Sequence, residues 1–230
     1  MPKLLIVLTS HARLGDTGRA TGFYWEELAA PYWAFRDAGI DVALASIAGG
    51  QPPADPTSLH EEASHNPSAV NRFLGDATAM AALRDTPPLE GQAPDDLVGI
   101  FIPGGHGTMW DLPESRPLAA LVGALFEAGK PVGAVCHGPA GLVGARRADG
   151  RPVVEGRRVN GFTNAEEASA GLTDVMPFLL ETRLRDLGGR FESGPDFAPF
   201  AIRDGNLVTG QNPASAEPAA RHMLDAVRGR

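Results

Sequence analysis

The sequence predicts an α/β protein in which a doubly wound, largely parallel sheet lies between two layers of helices. Three observations support this fold class. Continuous apolar runs of strand length, such as residues 3–9 and 97–103, are typical of parallel strands that are covered on both faces. These runs alternate along the chain with segments of helical spacing. The 230 residues, of which 43% are hydrophobic, suffice for one domain with a sizeable core.

The predicted elements follow one another along most of the chain. Strands are predicted at residues 3–9, 40–47, 97–103 and 130–135. Helices are predicted at residues 22–38, 115–128, 165–187 and 215–228, with a short helix at 138–144. Pro177 should divide the helix of residues 165–187 into two pieces. Residues 159–162 form one more candidate strand, and Asp204-Gly205, inside residues 201–209, is a hairpin turn signal.

Residues 49–94 differ in composition from the rest of the chain. The segment is rich in proline near both ends, and only residues 66–83 have a helical pattern. We interpret it as a small cap insertion that packs over the sheet edge, within a single domain that spans residues 1–230.

Charge and cysteine content argue against several kinds of partner and site. A formal net charge of −8 makes nucleic acid or an anionic membrane an unfavourable main partner. A single cysteine excludes an intrachain disulfide and a cysteine-rich zinc site, which fits a cytoplasmic protein. The apolar run of residues 4–8 is too short for a signal-peptide core or a membrane span.

The one cysteine lies in the segment AVCHGPAGL, residues 134–142, between a predicted strand and a predicted helix. A nucleophile at such a turn projects from the carboxyl end of a strand, where open α/β sheets bind their ligands. A helix N-terminus there would stabilise a thiolate and lower the pKa of Cys136. The alternative is a structural thiol, because free cysteine is a small and usually buried hydrophobic residue. The segment alone leaves both interpretations open.

A second glycine-rich loop follows another predicted strand. The sequence GGHG, residues 104–107, comes directly after residues 97–103. Consecutive backbone N–H groups in such a loop can converge on an oxyanion, although a plain strand-to-helix turn is the alternative. Two loops that both follow parallel strands should open at the same edge of the sheet. The pair is therefore more informative than either loop alone.

Two acids occur in the predicted helix of residues 22–38. On a helical wheel Glu27 lies at the margin of the apolar face, and Glu26 points to solvent. A half-buried carboxyl group near a thiolate would have a raised pKa and could stay protonated as a hydrogen-bond donor. A solvated charge is the commoner role for such a glutamate. Pro31 should kink the helix or restart it.

Two further acids, Glu166 and Glu167, follow the candidate strand of residues 159–162. Either could orient the imidazole of His137 as the acid of a Cys-His-acid triad. The alternative is a pair of first-turn acids that favour the helix dipole. These residues alone do not rank one acid above the other. No histidines form a pair at helical metal-ligand spacing, so the residues alone give no support for a metal site.

With these residues identified, the chain resembles the ThiJ/PfpI superfamily, which shares the flavodoxin-like fold of class I glutamine amidotransferases. Within it the chain is similar to the glyoxalase III and HchA-type chaperone branch. The matching segments are TGFYWEELAAPYWAF, PGGHGTMWDLP, AVCHGPAGL, EGRRVNGFTNAEE and LVTGQNPASA. The amidotransferases use a downstream His-x-Glu pair, whereas Met-Leu follows His222 here. An amidotransferase triad is therefore not expected.

The resemblance implies a role for individual residues. Cys136 would be the nucleophile, with His137 and Glu167 as the other members of its triad. Glu27 would be the acid that lies against the thiol.

The glycine-rich loop also has a role in the resemblance. The backbone N–H groups of Gly105 and His137 would hold an oxyanion. Gly104 and His106 would complete this loop as an oxyanion- and substrate-binding element.

The resemblance further implies a cofactor-independent glyoxalase, with a small 2-oxoaldehyde such as methylglyoxal as substrate and a 2-hydroxy acid such as D-lactate as product. Neither metal nor glutathione would be needed. Two alternatives stay open: a hydrolase that uses the same cysteine, either a protein deglycase or a small amidase or peptidase, and a holdase-type stress chaperone. A homodimer is also implied by the resemblance, with neither nucleic acid nor membrane as a partner.

Overall fold

The centre of the protein, a computed structural model described over residues 3–229, is a six-stranded sheet. The strands in chain order are β1 (Lys3–Leu8), β2 (Val42–Ser46), β3 (Leu97–Ile102), β4 (Val132–Val135), β5 (Arg158–Val159), β6 (Arg190–Phe191), β7 (Ala201–Asp204) and β8 (Leu207–Gly210). The sheet has the order β2-β1-β3-β4-β8-β7, and β5 pairs with β6 separately. All neighbours in the sheet are parallel except β7 and β8. This topology confirms the predicted fold class.

Eight α-helices surround the sheet over the same described range. They are α1 (Trp25–Asp37), α2 (Ser68–Gly75), α3 (Ala77–Arg84), α4 (Thr108–Asp111), α5 (Arg116–Glu127), α6 (Asn164–Ser169), α7 (Leu180–Asp186) and α8 (Ala216–Val227). Within residues 3–229, none of these helices has the length and hydropathy required to cross a membrane.

Each face of the sheet has its own apolar core. Side chains of β1 alternate between the two cores, with Leu4, Ile6 and Leu8 in one and Leu5 and Val7 in the other. Helices α1 and α8 contribute to the first core, and α5 contributes to the second. Because both faces are covered, the strands need apolar residues at successive positions, which explains the continuous runs in the sequence.

Two predicted boundaries, at the start of α1 and within residues 159–162, differ from the structure because of tertiary contacts. Helix α1 begins only at Trp25, since the extended backbone of Phe23 bridges Ala54. It then continues through Pro31 as one helix, so the restart considered from the sequence does not occur. Of residues 159–162, only the first belongs to a strand. The remainder is held by loop contacts, among them the N–H of Asn160 on the hydroxyl of Thr209 at 2.9 Å.

The other helix predictions differ in continuity. Residues 66–83 form α2 and α3, which are separated at Asp76, whose carboxylate caps α3 by accepting from the N–H of Ala79 at 2.8 Å. Residues 165–187 are divided around Pro177, as predicted. The short helix after Cys136 is a 3₁₀ helix, Gly138–Leu142, and not an α-helix.

Residues 49–94 lie along one side of the sheet. Helix α2 packs against α1, where the ring of Phe73 meets the rings of Trp25 and Tyr32 at centroid distances of 5.9 and 4.9 Å. Helix α3 contacts β2, which is an edge strand. The segment therefore adds apolar contacts beside the edge of the sheet and to the start of α1.

Candidate active site

Cys136 occupies a sharp turn directly after β4. Its φ is 59°, a left-handed conformation that non-glycine residues adopt at a cost and mainly at functional turns. Its N–H donates to the carbonyl of Gly210 at 2.9 Å. The following turn passes close to β3 because residue 138 is glycine, where a Cβ would lie 2.1 Å from the carbonyl oxygen of Ile102. The thiol is held at the carboxyl edge of the sheet, and the residue is 3% exposed.

The GGHG loop, residues 104–107, follows β3, which is the neighbour of β4. Both glycine-rich turns therefore open at the same edge of the sheet, as predicted. Gly105 has a φ of 95°, and a Cβ on it would lie 2.3 Å from the carbonyl oxygen of Gly22. The N–H of Tyr24 donates to the carbonyl of Gly104 at 3.1 Å. This packing brings the start of α1 to the cysteine.

His137 connects the thiol to an acid. Its Nδ1 lies 3.3 Å from the Sγ of Cys136, and its Nε2 lies 2.8 Å from Oε2 of Glu167. Both the imidazole and the carboxylate are buried. The three side chains have the connectivity of a nucleophile, a base and an acid that orients the base.

The neighbouring acids Glu166 and Glu167 have different partners, so each of the two interpretations from the sequence applies to one of them. The Oε2 of Glu166 accepts from the N–H of Thr163 at 2.9 Å, and the Thr163 hydroxyl accepts from the N–H of Glu166 at 3.0 Å. This capping box begins α6. Glu167 instead bonds His137, and the structure thereby distinguishes the two acids.

His106 contacts the same acid from the other side. Its Nε2 lies 3.1 Å from Oε1 of Glu167, and its ring centroid is 4.2 Å from that of His137. The resemblance implied that His106 belongs to an oxyanion- and substrate-binding loop, and the structure places its imidazole on Glu167. Nothing in the local sequence shows this contact, because it depends on how the GGHG loop packs against α6.

Phe162 is a neighbour of the site that sequence reasoning did not single out. Its ring centroid is 4.4 Å from that of His137, and its N–H donates to the carbonyl of Cys136 at 2.8 Å. Its place in the GFTNAEE segment, four residues before Glu166, was the available signal. It covers one side of the imidazole with an apolar ring.

Glu27 is completely buried, with 0% of the residue exposed, and not at the margin of a helix face as the wheel suggested. The GGHG loop covers it, and its Oε2 accepts from the N–H of Gly104 at 2.7 Å. This N–H is therefore engaged by Glu27 and is not a free oxyanion donor. Oε1 has no hydrogen-bond partner among the described residues. Burial raises the pKa of Glu27 to about 8, although the Gly104 N–H and Cys136 act in the opposite direction.

The pKa of Cys136 is raised well above its usual value, which overturns the lowering predicted from a helix N-terminus. Burial is the main cause, and the neighbouring carboxyl group of Glu27 adds to it. The backbone N–H groups of Gly105 and His137 act on the sulfur in the opposite direction. The helix that was expected to supply the dipole is the short 3₁₀ helix, whose few peptide units give a weak one. The resting thiol is thus protonated.

The protonation states of His137 and Glu167 are those that a catalytic triad requires. Burial and the nearby His106 lower the pKa of His137, although Glu167 opposes this, so the imidazole is neutral at rest. Burial opposes ionisation of Glu167, but hydrogen bonds from His106 and His137 outweigh it and bring the pKa to about 2. The ionised carboxylate of Glu167 accepts a hydrogen bond from the Nε2–H group of His137. The Nδ1 atom is then left free to accept the thiol proton.

The same cluster contains a set of metal-ligand atoms. One ligand atom each from His106, His137 and Glu167 lie within 4.8 Å of one another. Two imidazoles and a carboxylate match the donor preference of zinc. These atoms already hydrogen-bond one another, so the cluster is satisfied by its own side chains.

The geometry defines a class of protein: an α/β protein with a buried cysteine at a strand-to-turn elbow, supported by a histidine and an acid. The DJ-1/PfpI family model matches residues 19–226, and the chain belongs to this family. The predicted resemblance is thereby confirmed.

Individual relatives match over nearly the whole chain. The glutathione-independent glyoxalase HSP31 of Saccharomyces cerevisiae is 30% identical over 98% of each chain, and Glyoxalase 3 of Candida albicans is likewise 30% identical over 98% of each. Among solved structures, glyoxalase III from Candida albicans superposes with a TM-score of 0.90 at 28% identity, covering 98% of this chain and 97% of that one. The 24 kDa rapid encystment protein of Francisella tularensis has a TM-score of 0.93 at 32% identity, covering 99% of both chains.

Proposed function

We propose that this protein is a glutathione-independent glyoxalase that converts 2-oxoaldehydes such as methylglyoxal to 2-hydroxy acids such as D-lactate. One arrangement carries the proposal. The single thiol, Cys136, lies beside the protonatable carboxyl group of Glu27 and within 3.3 Å of the His137 imidazole. The glyoxalase names of relatives that match nearly the full chain support the same activity.

The first step is attack of the thiol on the aldehyde carbon, C1. The Nδ1 atom of His137 takes the proton from the Cys136 Sγ, and the sulfur forms a bond to C1. The resulting alkoxide takes the proton of Glu27, which leaves a hemithioacetal and a Glu27 carboxylate. The N–H groups of Gly105 and His137 stabilise the oxygen as its charge develops. Glu167 stabilises the imidazolium that forms.

The second step moves hydrogen from C1 to the ketone carbon, C2. The Glu27 carboxylate takes the C1 proton while the His137 imidazolium protonates the C2 oxygen, which gives an enediol. Glu27 then donates its proton to C2, and His137 takes the proton of the C1 hydroxyl, so that C1 becomes a thioester carbonyl. The Oε1 atom of Glu27, which has no hydrogen-bond partner within residues 3–229, is the oxygen available for this transfer. C1 is oxidised as C2 is reduced, so no external electron carrier is required.

The third step is hydrolysis of the thioester. Glu27 takes a proton from water, the hydroxide adds to C1, and the C–S bond breaks. His137 returns its proton to the Cys136 sulfur, and the 2-hydroxy acid leaves. The free enzyme again has a protonated thiol, a protonated Glu27 and a neutral imidazole.

Product analysis of the wild-type protein tests this function. The protein is treated with a chelator, freed of small thiols and incubated with methylglyoxal, and the product is identified by NMR. We expect stoichiometric lactate without added metal or glutathione. Consumption of methylglyoxal without lactate, or a requirement for glutathione, would contradict the proposal.

Two other assays test the alternatives. A deglycase, amidase or peptidase would release an intact amine from a glycated or plain peptide faster than free methylglyoxal is consumed. A holdase would suppress aggregation in a Cys136→Ala variant. Among the described residues, the exposed large apolar side chains are Leu59 and Phe197, so the structure offers the holdase alternative little apolar surface.

Three further expectations belong to this proposal. We expect a homodimer, which light scattering would test. We expect a cytoplasmic location, because the single thiol must stay reduced for catalysis. We also treat residues 1–230 as one domain with residues 49–94 as its insertion, so that one cooperative unfolding transition is the expected behaviour.

A further inference from the structure

Phe197 breaks two local rules of protein structure at once. Its φ is 57°, and among the described residues only Cys136 shares with it a positive φ at a non-glycine position. A bulky aromatic residue rarely adopts this conformation. Its side chain is also exposed, at 52%, and contributes little to either core. Such exceptions occur where the surrounding structure imposes them for a function.

Buried polar side chains impose this conformation on the loop around Phe197. The Phe197 N–H donates to Oε1 of Glu166 at 2.8 Å, and the Asn212 amide donates to the carbonyl of Ala198 at 2.8 Å. The side-chain oxygen of Gln211 accepts a hydrogen bond from the N–H of Gly194 at 2.9 Å. Glu166, Gln211 and Asn212 are completely buried. The loop is therefore fixed by a satisfied network and does not hold the ring at the surface by chance.

A row of rings leads from Phe197 to the thiol. The centroids of Phe197 and Phe162 are 6.1 Å apart, and those of Phe162 and His137 are 4.4 Å apart. The ring centroid of Phe162 also lies 6.0 Å from that of His106. At the inner end, His137 contacts the Cys136 sulfur. The outer ring is exposed, while the inner rings are buried or nearly so.

One turn of helix joins this row to the triad. Glu166 holds the backbone of Phe197, and the next residue, Glu167, holds the imidazole of His137. The position of the outer ring relative to the thiol is thus set by two adjacent residues of α6.

We infer that Phe162 and Phe197 form an apolar wall that binds the group carried by the ketone carbon, C2, of the substrate, so that the site favours 2-oxoaldehydes with a flat aromatic group there over those with hydrogen or methyl. This inference rests on the proposed function and specifies its substrate class. Offset and edge-to-face contacts with an aromatic ring are the interactions that two inclined phenyl rings offer. Phenylglyoxal is the simplest substrate with such a group.

Steady-state kinetics with two substrates test the wall. In Phe197→Ala we expect kcat/KM for phenylglyoxal to fall about tenfold, through a higher KM, while kcat/KM for methylglyoxal stays within about twofold. Phe197→Tyr keeps the ring and should keep the phenylglyoxal value. Leu59→Ala, which removes the other exposed large apolar side chain, is the matched control and should change neither substrate. Equal losses for both substrates in Phe197→Ala would mean a purely structural loop and would overturn the inference.

Alkylation of the thiol separates failure of the wall from failure of the proposed function. Because the chain has one cysteine, the part of the mass increase that is missing from a Cys136→Ala background reports modification at Cys136. Phenacyl bromide and bromoacetone carry the phenyl and methyl groups of the two substrates without requiring turnover. We expect the ratio of their alkylation rates to fall about tenfold in Phe197→Ala and to stay unchanged in Leu59→Ala. An unchanged ratio in Phe197→Ala overturns the wall, whether or not the protein turns over 2-oxoaldehydes, whereas a wild type that forms no 2-hydroxy acid overturns only the proposed function.

Discussion

The buried carboxyl group of Glu27 lowers the free energy of unfolding at neutral pH, and the Glu27→Gln variant should therefore be more stable there than the wild type. The pKa of the buried carboxyl group is raised from 4.5 to about 8, so the folded state keeps a proton that the unfolded chain releases. Between these two values the folded state binds more protons than the unfolded state, and stability must fall as pH rises. Glutamine has the shape of the protonated acid and can still accept the N–H of Gly104 through its side-chain oxygen.

The size of the effect follows from the shift. At pH 7 the proton retained by Glu27 costs about 3 kcal/mol of folding free energy, and above pH 8 the cost reaches about 5 kcal/mol, at about 1.4 kcal/mol for each pKa unit between 4.5 and 8. Glu27→Gln removes this cost because the amide does not ionise. The variant should therefore match the wild type near pH 4 and exceed it by about 3 kcal/mol at pH 7, while its glyoxalase activity is lost.

Urea unfolding at a series of pH values measures the effect. We expect the wild-type free energy of unfolding to decrease from about pH 5 to about pH 8 more steeply than that of Glu27→Gln. Glu26→Gln, the same change one residue earlier at a half-buried position, is the control and should leave most of the pH dependence in place. A difference between wild type and Glu27→Gln that is the same at all pH values would refute the buried, proton-binding carboxyl group.

Three further outcomes are expected from the same geometry. Replacing Glu167 by Gln should lower kcat by about 10²–10⁴-fold with little change in KM, because the His137 imidazolium loses its carboxylate; kinetics that resemble wild type would exclude the triad. The kcat/KM of the wild type should decrease as pH rises through about 8, since the free enzyme then loses the Glu27 proton that the alkoxide needs, and a flat profile across this range would contradict that role. Gly104→Ala should lower stability by about 1–3 kcal/mol and remove most of the activity, because a Cβ would lie 2.6 Å from the backbone nitrogen of His137 and 2.8 Å from Oε2 of Glu27. Gly75→Ala, where a Cβ meets nothing within 4 Å, is its control, and equal tolerance of both changes in thermal unfolding would contradict the close packing.

The sheet was predictable because its signals are local. Strands such as Leu97–Ile102 are covered on both faces and must be apolar throughout, and the glycines after them mark the turns. The boundaries at Trp25 and Asp76 were not predictable in the same way. A strand-like bridge and a side-chain cap decide them, and both depend on which segments meet in space.

The sequence indicated which residues meet at the site better than it indicated their pKa values and burial. Cys136 and its neighbouring histidine occupy a recognisable turn, but the pKa of the thiol is raised where the turn alone suggested lowering. The wheel of α1 placed Glu27 at a margin because it contains no information about the loop that covers it. For the same reason, the contact between His106 and Glu167 could not be read from either segment.

The most direct test of the central claim is lactate formation by the Cys136→Ala variant. The variant and the wild type are compared under chelation, without small thiols, at equal folded concentration, with methylglyoxal as substrate. If Cys136 forms the covalent intermediate, its removal should lower kcat/KM by more than about 10³-fold, because no other group can form the hemithioacetal. A variant that retains activity within about tenfold of the wild type would contradict covalent catalysis by this thiol.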